Sequence, residues 1–428
     1  MLFNFNRNKL KNPSSNDNPT SESDIKKVPY LASLSISSFR WLWFGTILQM
    51  GAVQMGMTAR TMVVDDITNS AFLSGVVAMG FAPSLLVFAI IGGWVGDKFD
   101  NRSIIQFCLI CFTLVSASIG LLIAFEVIHW IHLFIASLFQ GALFSLQMPS
   151  RQSLIPKLVP KSLIGNGVAL IAASMATISI FSGAGIGLLY GSLGPSYVFL
   201  IISILYVISF ILTSQIPSTK QIKENQNNQG LLGSTKESIA YLFHNKMILG
   251  IFLSSILVSL FALPVRLQLP IIARRLYEAS SNEIGLLLSI SSIGAVLASL
   301  FIASLSKSKL RGFIFLSGIF GLSACVFLLG FFPYFIAGII IWILFGIFEN
   351  IRMTLSQSLT LEYVDENFRS RIMGLYMMNY AFIPLGALPI GKSIDVFGAE
   401  KSLLIFSLIF FISSVLVLIS SKELRKIR

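Results

Sequence analysis

A tract near residue 150 of this chain is written twice. Gln152-Ser153-Leu154 returns as Gln357-Ser358-Leu359, and Gly141, Met148 and Val159 are answered by Gly346, Met353 and Val364, at a shift of about 205 positions. Further along, Gly187, Gly191 and Gly194 are answered at nearly the same shift by Gly391, Asp395 and Gly398. A repeat this long makes each copy a structural unit. Apolar segments of about 20 residues, each long enough to cross about 30 Å of hydrocarbon as a helix, say what kind of unit it is. They occupy 39–62, 72–95, 103–125, 128–148, 165–190 and 196–215 in the first copy, and 248–272, 284–305, 312–331, 334–356, 373–394 and 402–421 in the second. With 55% of 428 residues hydrophobic and 12% charged, a water-soluble fold cannot bury this chain. In lipid every backbone donor and acceptor must bond within the protein, which favours helices. The expectation is an all-α polytopic membrane protein with about twelve transmembrane helices in two six-helix bundles.

Threading these helices alternately leaves most Lys and Arg on one side. The turns on the other side carry only Arg274, Arg275, Lys392 and Lys401. The positive-inside rule then places both termini in the cytoplasm, as for a multi-pass protein of a bacterial plasma membrane. Residues 1–37 read as a disordered tail, 38–216 and 248–421 as the two bundles, 217–247 as a cytoplasmic linker with a surface helix near 235–243, and 422–428 as a second tail. Six is even, so both bundles enter with the same polarity, a parallel repeat. The net charge of +12 follows from this rule and from anionic inner-leaflet lipid, so nothing here points to nucleic acid. A monomer is expected.

Catalytic and cofactor signals do not emerge. Cys108 and Cys111 form a C-x-x-C inside an apolar span, where packing thiols are the expectation. With three histidines and no paired acidic motif in a span, neither a metal site, a cofactor site nor an enzyme is expected. No G-x-x-x-x-G-K-[ST] loop is present to bind a nucleotide.

Between the second and third spans runs Gly92-Gly93-Trp94-Val95-Gly96-Asp97-Lys98-Phe99-Asp100-Asn101-Arg102. Gly93, Asp97 and Lys98 match the Gly-x-x-x-Asp-Arg/Lys motif of the major facilitator superfamily, which the chain resembles over roughly residues 38–421. The Asp-Lys-x-Asp-x-Arg form, with Asp100 in place of the usual later glycine, is similar to the branch of enterobactin-type siderophore exporters and macrolide efflux proteins. Met148-Pro149-Ser150-Arg151 and Arg369-Ser370-Arg371 agree with that branch. The resemblance implies alternating access around a path lined by the first, fourth, seventh and tenth helices. It implies proton-driven export of a siderophore or amphiphilic drug, with import or facilitated movement of another solute, or a non-transporting scaffold, as alternatives. Gly93, Asp97, Lys98, Asp100 and Arg102 would then be a cytoplasmic latch, made in one state and broken in another.

Two positions depart from the family pattern. Leu133…Gln140-Gly141 resembles its second motif, but Ser137 stands where an arginine linked to proton coupling is common. Gly183-Ala184-Gly185-Ile186-Gly187 resembles the antiporter motif with Ala184 replacing proline, and its glycines are expected to pack against the eighth span.

A charge at mid-bilayer costs about 2.5–3.5 kcal/mol even on lenient scales, so it marks a cavity or a partner. Glu349 is the one acidic residue well inside a span, followed by Asn350 and by Arg352 on the same helical face. Either Glu349 carries a transported proton, with Arg352 beside it, or the two form a static pair. Arg60 and Arg266 are related by a shift of 206. Either they face one another across the path as substrate or gate residues, or Arg60 snorkels outward to Asp65 or Asp66. Gln54 and Gln140 are candidate polar contacts in the same cavity.

Overall fold

A computed structural model of the chain describes residues 31–84, 99–218, 240–304, 310–365 and 378–420, with isolated positions between them. The first copy supplies α1 (Ser37–Thr68), α2 (Ala71–Met79), α3 (Asn101–Ala124), α4 (Trp130–Leu158), α5 (Ile164–Leu193) and α6 (Pro195–Ser214). The second supplies α7 (Lys246–Phe261), α8 (Leu263–Leu267) and α9 (Leu269–Tyr277), which share one predicted span, then α10 (Ser281–Ser304) and α11 (Arg311–Phe331). It ends with α12 (Phe335–Tyr363), α13 (Phe382–Phe397) and α14 (Ala399–Ser420). Among the described residues there is no strand. Nine of the described helical segments are long and apolar enough to cross a membrane, and α1, α2 and α13 fill the other three predicted places. The chain is a multi-pass, all-α membrane protein.

Three helices outrun the sequence expectation. α1 continues to Thr68, where Asn69 turns left-handed at φ 48° and ends it. α12 continues to Tyr363. α4 passes through Pro149 and Pro156 to Leu158. Each proline deletes a backbone donor, but Arg151 donates to Thr46 and Gln49 of α1 and ties the turn beyond Pro149 to its neighbour. Conversely, the seventh span breaks into three pieces at Pro264 and Pro270, as their spacing predicts.

α1 lies against α5 and α6, and α3 against α4 and α6; in the second copy α10 and α11 flank α12, and α11 packs on α14. Copies meet along two seams, α5 on α10 and α2 on α13. The first seam is built from small residues. A Cβ on Gly187 would stand 2.8 Å from Gly285 Cα and 2.8 Å from the Ser281 carbonyl oxygen. Gly183 abuts Ser289 in the same way, with its hypothetical Cβ 2.8 Å from the Ser289 amide. Gly185 does not belong to this seam. It faces Met55 of α1 at an ordinary 3.8 Å, because it lies off the 183–187 line of the helix.

The segment entering α7 is docked on the chain between α12 and α13. Tyr241 stacks on Phe368 at 4.3 Å and accepts a hydrogen bond from the Asp365 amide. Leu242 and Ile248 are buried with Val364 and Ile372. The linker is thus anchored to the second copy at its far end, beyond what its polar composition suggests.

Candidate functional site

Two prolines isolate α8 as a single turn, which holds Arg266 against α12. Its Nη1 donates to Glu349 Oε2 at 2.5 Å, with the two side chains 30% and 15% exposed. Glu349 therefore pairs with a residue 83 positions away and not with Arg352 three positions on. Arg352 stands where α12 packs on Gly318 of α11 and is 4% exposed. Its Nε has no acceptor, and among the described residues its guanidinium makes no hydrogen bond or ion pair. Asn350 only accepts from Thr354, one turn along. Tyr380, in the turn before α13, donates to Met353 Sδ at 3.6 Å and lies within electrostatic range of both Arg352 and Glu349.

Arg60 does not snorkel to Asp65 or Asp66. It is buried between α1 and α4, where Nε donates to the Gly56 carbonyl at 3.1 Å, Nη1 to Ser137 Oγ at 3.0 Å, and Nη2 to Gln140 Oε1. α1 thus brings a guanidinium to Ser137, the position at which the resemblance leads one to expect an arginine. Arg60 and Arg266 share no bonding partner: each is bonded within its own copy. Gln54 spends its amide on Ser179 and its carbonyl on Ser182, pinning α1 to α5. A second buried network joins Arg151, Thr46, Gln49 and Gln147 between the same helices, α1 and α4, as Arg60 does.

Of the latch motif, Gly93, Asp97 and Lys98 lie outside the described residues, as do Arg369 and Arg371. Asp100 stands at the N-cap position of α3, without a side-chain bond to its first-turn amides, and accepts from Ser218 Oγ at 3.2 Å, and Arg102 donates to the Ser214 carbonyl at the end of α6. Both bonds stay within the first copy.

Among the described residues, the ion pairs between the copies stand at the end where α1 gives way to α2. Arg274 of α9 meets Asp65 at 3.1 Å and Asp66 at 2.6 Å, and Tyr190 of α5 donates to Asp66. Arg275 reaches the Asn69 carbonyl at 3.0 Å and Asp395 at 2.9 Å. Asp395 of α13 then accepts from Ser70 Oγ at 2.7 Å and from the Ala71 and Phe72 amides at 2.9 Å each. A carboxylate of the second copy thereby caps the first turn of a helix of the first, where orphan amides and the helix dipole favour negative charge. Gln268 adds a bond to the Ala71 carbonyl. Sequence reasoning passed over this cluster. Its signals were two like-charged pairs, Asp65-Asp66 and Arg274-Arg275, and an aspartate at 395 where the first copy has Gly191.

The sequence pattern of the Major Facilitator Superfamily matches residues 42–384. The chain belongs to that superfamily. A superfamily relative, the staphyloferrin A transporter of Staphylococcus aureus (strain NCTC 8325 / PS 47), is 22% identical over 377 residues, covering 87% of this chain and 91% of its own. The enterobactin exporter EntS of Salmonella typhi is 22% identical over 416 residues, covering 94% and 98%. In fold, the chain is similar to the crystal structure of the nucleoside transporter NupG, with a TM-score of 0.73 at 17% identity, covering 90% of this chain and 99% of that one. A bacterial homolog of the human lysosomal transporter Spinster, inward-facing and unoccupied, gives 0.67 at 13%, covering 94% and 98%. Membership makes this chain a transporter-type membrane protein and not an enzyme.

Proposed function

We propose that the chain is a proton-driven exporter of a small molecule, working by alternating access between bundles 38–216 and 248–421. The observation that carries this reading is the Arg266–Glu349 pair, partly open and held between a proline-bounded turn and α12. An ionised Glu349 holds α8 to α12. A proton on Glu349 removes the attraction and frees Arg266, so that occupancy by a proton changes which arrangement of α8 is stable. The Arg274, Arg275, Asp65, Asp66 and Asp395 cluster acts as the gate at the end taken to face outward, with both termini in the cytoplasm of the plasma membrane and the protein working as a monomer. A siderophore or an amphiphilic drug is the proposed cargo, the former supported by the names of the two relatives.

Import of an anion together with a proton is the second reading, and the same pair favours it. A cargo anion that takes Arg266 away from Glu349 strengthens proton binding there, so the two bind together by linkage. Everted vesicles carrying the protein separate the readings. Dissipation of an imposed proton gradient on adding a siderophore or macrolide, absent from vesicles lacking the protein, supports export. Cargo uptake into right-side-out vesicles, driven by an inward proton gradient, supports import and refutes export.

A further inference from the structure

Ser414 breaks the habit of its helix. Ser402, Ser407 and Ser420 each donate to a backbone carbonyl three or four positions back, as serines in apolar helices do. Ser414 is 5% exposed, and its Oγ is buried with no hydrogen-bond partner. Within a bilayer no bulk water reaches such a group, so leaving its bond unmade is costly.

The hydroxyl lines a crevice of about 230 Å³ where α7, α11 and α14 pack on one another. Leu257, Leu316, Phe320 and Leu418 make the walls apolar, and Ser254 of α7 supplies the other hydroxyl. There is room inside for one water molecule. Ser254 is buried and donates to the Gly250 carbonyl at 2.8 Å, so its oxygen keeps lone pairs for an incoming donor. At 1.5 Å per residue, Ser254 lies about 12 Å from the start of α7 at Lys246, and Ser414 about 9 Å from the end of α14 at Ser420. The two hydroxyls therefore stand at similar depth. A lipid chain in the crevice would offer neither donor nor acceptor and would leave Ser414 stranded, whereas water offers both.

We propose that one water molecule resides in this crevice, accepting from Ser414 Oγ and donating to Ser254 Oγ, and so joins α14 to α7. The neighbouring Ser255 turns the other way and meets Ser356 of α12 directly, Oγ to Oγ at 2.9 Å. Adjacent serines thus staple α7 to both flanking helices, one bond direct and the other through water. The staple lies before Pro264, so it holds α7 within the second copy and leaves unstapled the proline-bounded turn α8, which carries Arg266. It holds whichever way a cargo moves.

Radiolytic hydroxyl-radical labelling of the full chain in lipid nanodiscs reads the site, because a bound water irradiated in place oxidises the side chains beside it. Phe320 should be labelled in the unaltered chain, and Phe315, fully buried on the same helix, should not. Ser414→Ala should lower the label on Phe320 severalfold, and Ser414→Val, whose methyl groups take the place of the water, should remove it. In thermal melts, Ser254→Ala and Ser414→Ala should each lower the temperature of half-loss, and the double variant should fall no further than the weaker single one, because either change already breaks the bridge. An unlabelled Phe320 in the unaltered chain, as a lipid chain in the crevice would leave it, overturns the proposal. So does label that survives Ser414→Val, or a double variant whose loss is the sum of the two. The comparison of Phe320 with Phe315 in the unaltered chain stands even if a variant fails to fold.

Discussion

Replacing Asp395 by alanine should open the gate at the α1–α2 end. Its carboxylate, 20% exposed, accepts three hydrogen bonds from the first copy, at 2.7, 2.9 and 2.9 Å. A net intramolecular hydrogen bond is worth about 0.5–1.5 kcal/mol. Once the seam parts, water satisfies the α2 amides, and partial exposure weakens the charge, so the lower part of that range applies. Three bonds then favour the closed arrangement by about 1.5–3 kcal/mol, or about 10- to 150-fold in population. Arg274 still holds Asp65 and Asp66, so closure should be weakened, not abolished. The assay is electron–electron distance measurement between spin labels at Ile67 and Phe397, both exposed and on opposite sides of the seam, with Cys108, Cys111 and Cys325 replaced by alanine. Asp395→Ala should add a longer-distance population, and Asp395→Asn, which keeps an acceptor but loses the charge, should fall between it and the parent. A distribution unchanged from the parent, in monodisperse protein, would refute the gate.

Glu349→Gln should leave the protein folded while proton movement out of acid-loaded everted vesicles stops responding to cargo; unchanged coupling would reduce Glu349 to a structural partner of Arg266. Arg60→Ser should cost about 1–3 kcal/mol by stranding Ser137 and Gln140, and adding Ser137→Arg should recover much of it, both read as the temperature of half-loss of monodisperse protein. Failure of the double substitution to recover anything would count against the exchange of guanidinium positions. Gly346→Ala places a Cβ 1.8 Å from the Ser291 carbonyl oxygen, whereas at Gly165 nothing lies within 4 Å. The first should destabilise by at least about 1–3 kcal/mol through overpacking, the second should be neutral or stabilising by up to about 1 kcal/mol, and similar melting of the two would contradict the packing.

Helices, their number and the glycines of the α5–α10 seam were legible because periodicity and small-residue spacing are local properties of the chain. Partner choice was not legible. Glu349 and Arg352 are neighbours along α12, yet α11 packs against the base of Arg352 while α8 brings Arg266 to Glu349 from 83 residues away. Arg60 looked close enough to Asp65 to pair with it. Only the approach of α4 shows that Ser137 and Gln140 offer it a fully buried set of acceptors while Arg274 claims Asp65. Asp65, Asp66, Arg274 and Arg275 resembled ordinary turn charges until α1 and α9 were brought side by side.

The two seams between the copies differ in their physics. One is backbone on backbone at Gly187 and Gly285, with dispersion as its main attraction; the other runs through Asp395 and the amides of α2. Salt screens charges and leaves close packing almost untouched. Raising ionic strength should therefore loosen one side of the molecule and spare the other, so the bundles would part as a door swings, with the glycine side as hinge post and the aspartate side as clasp.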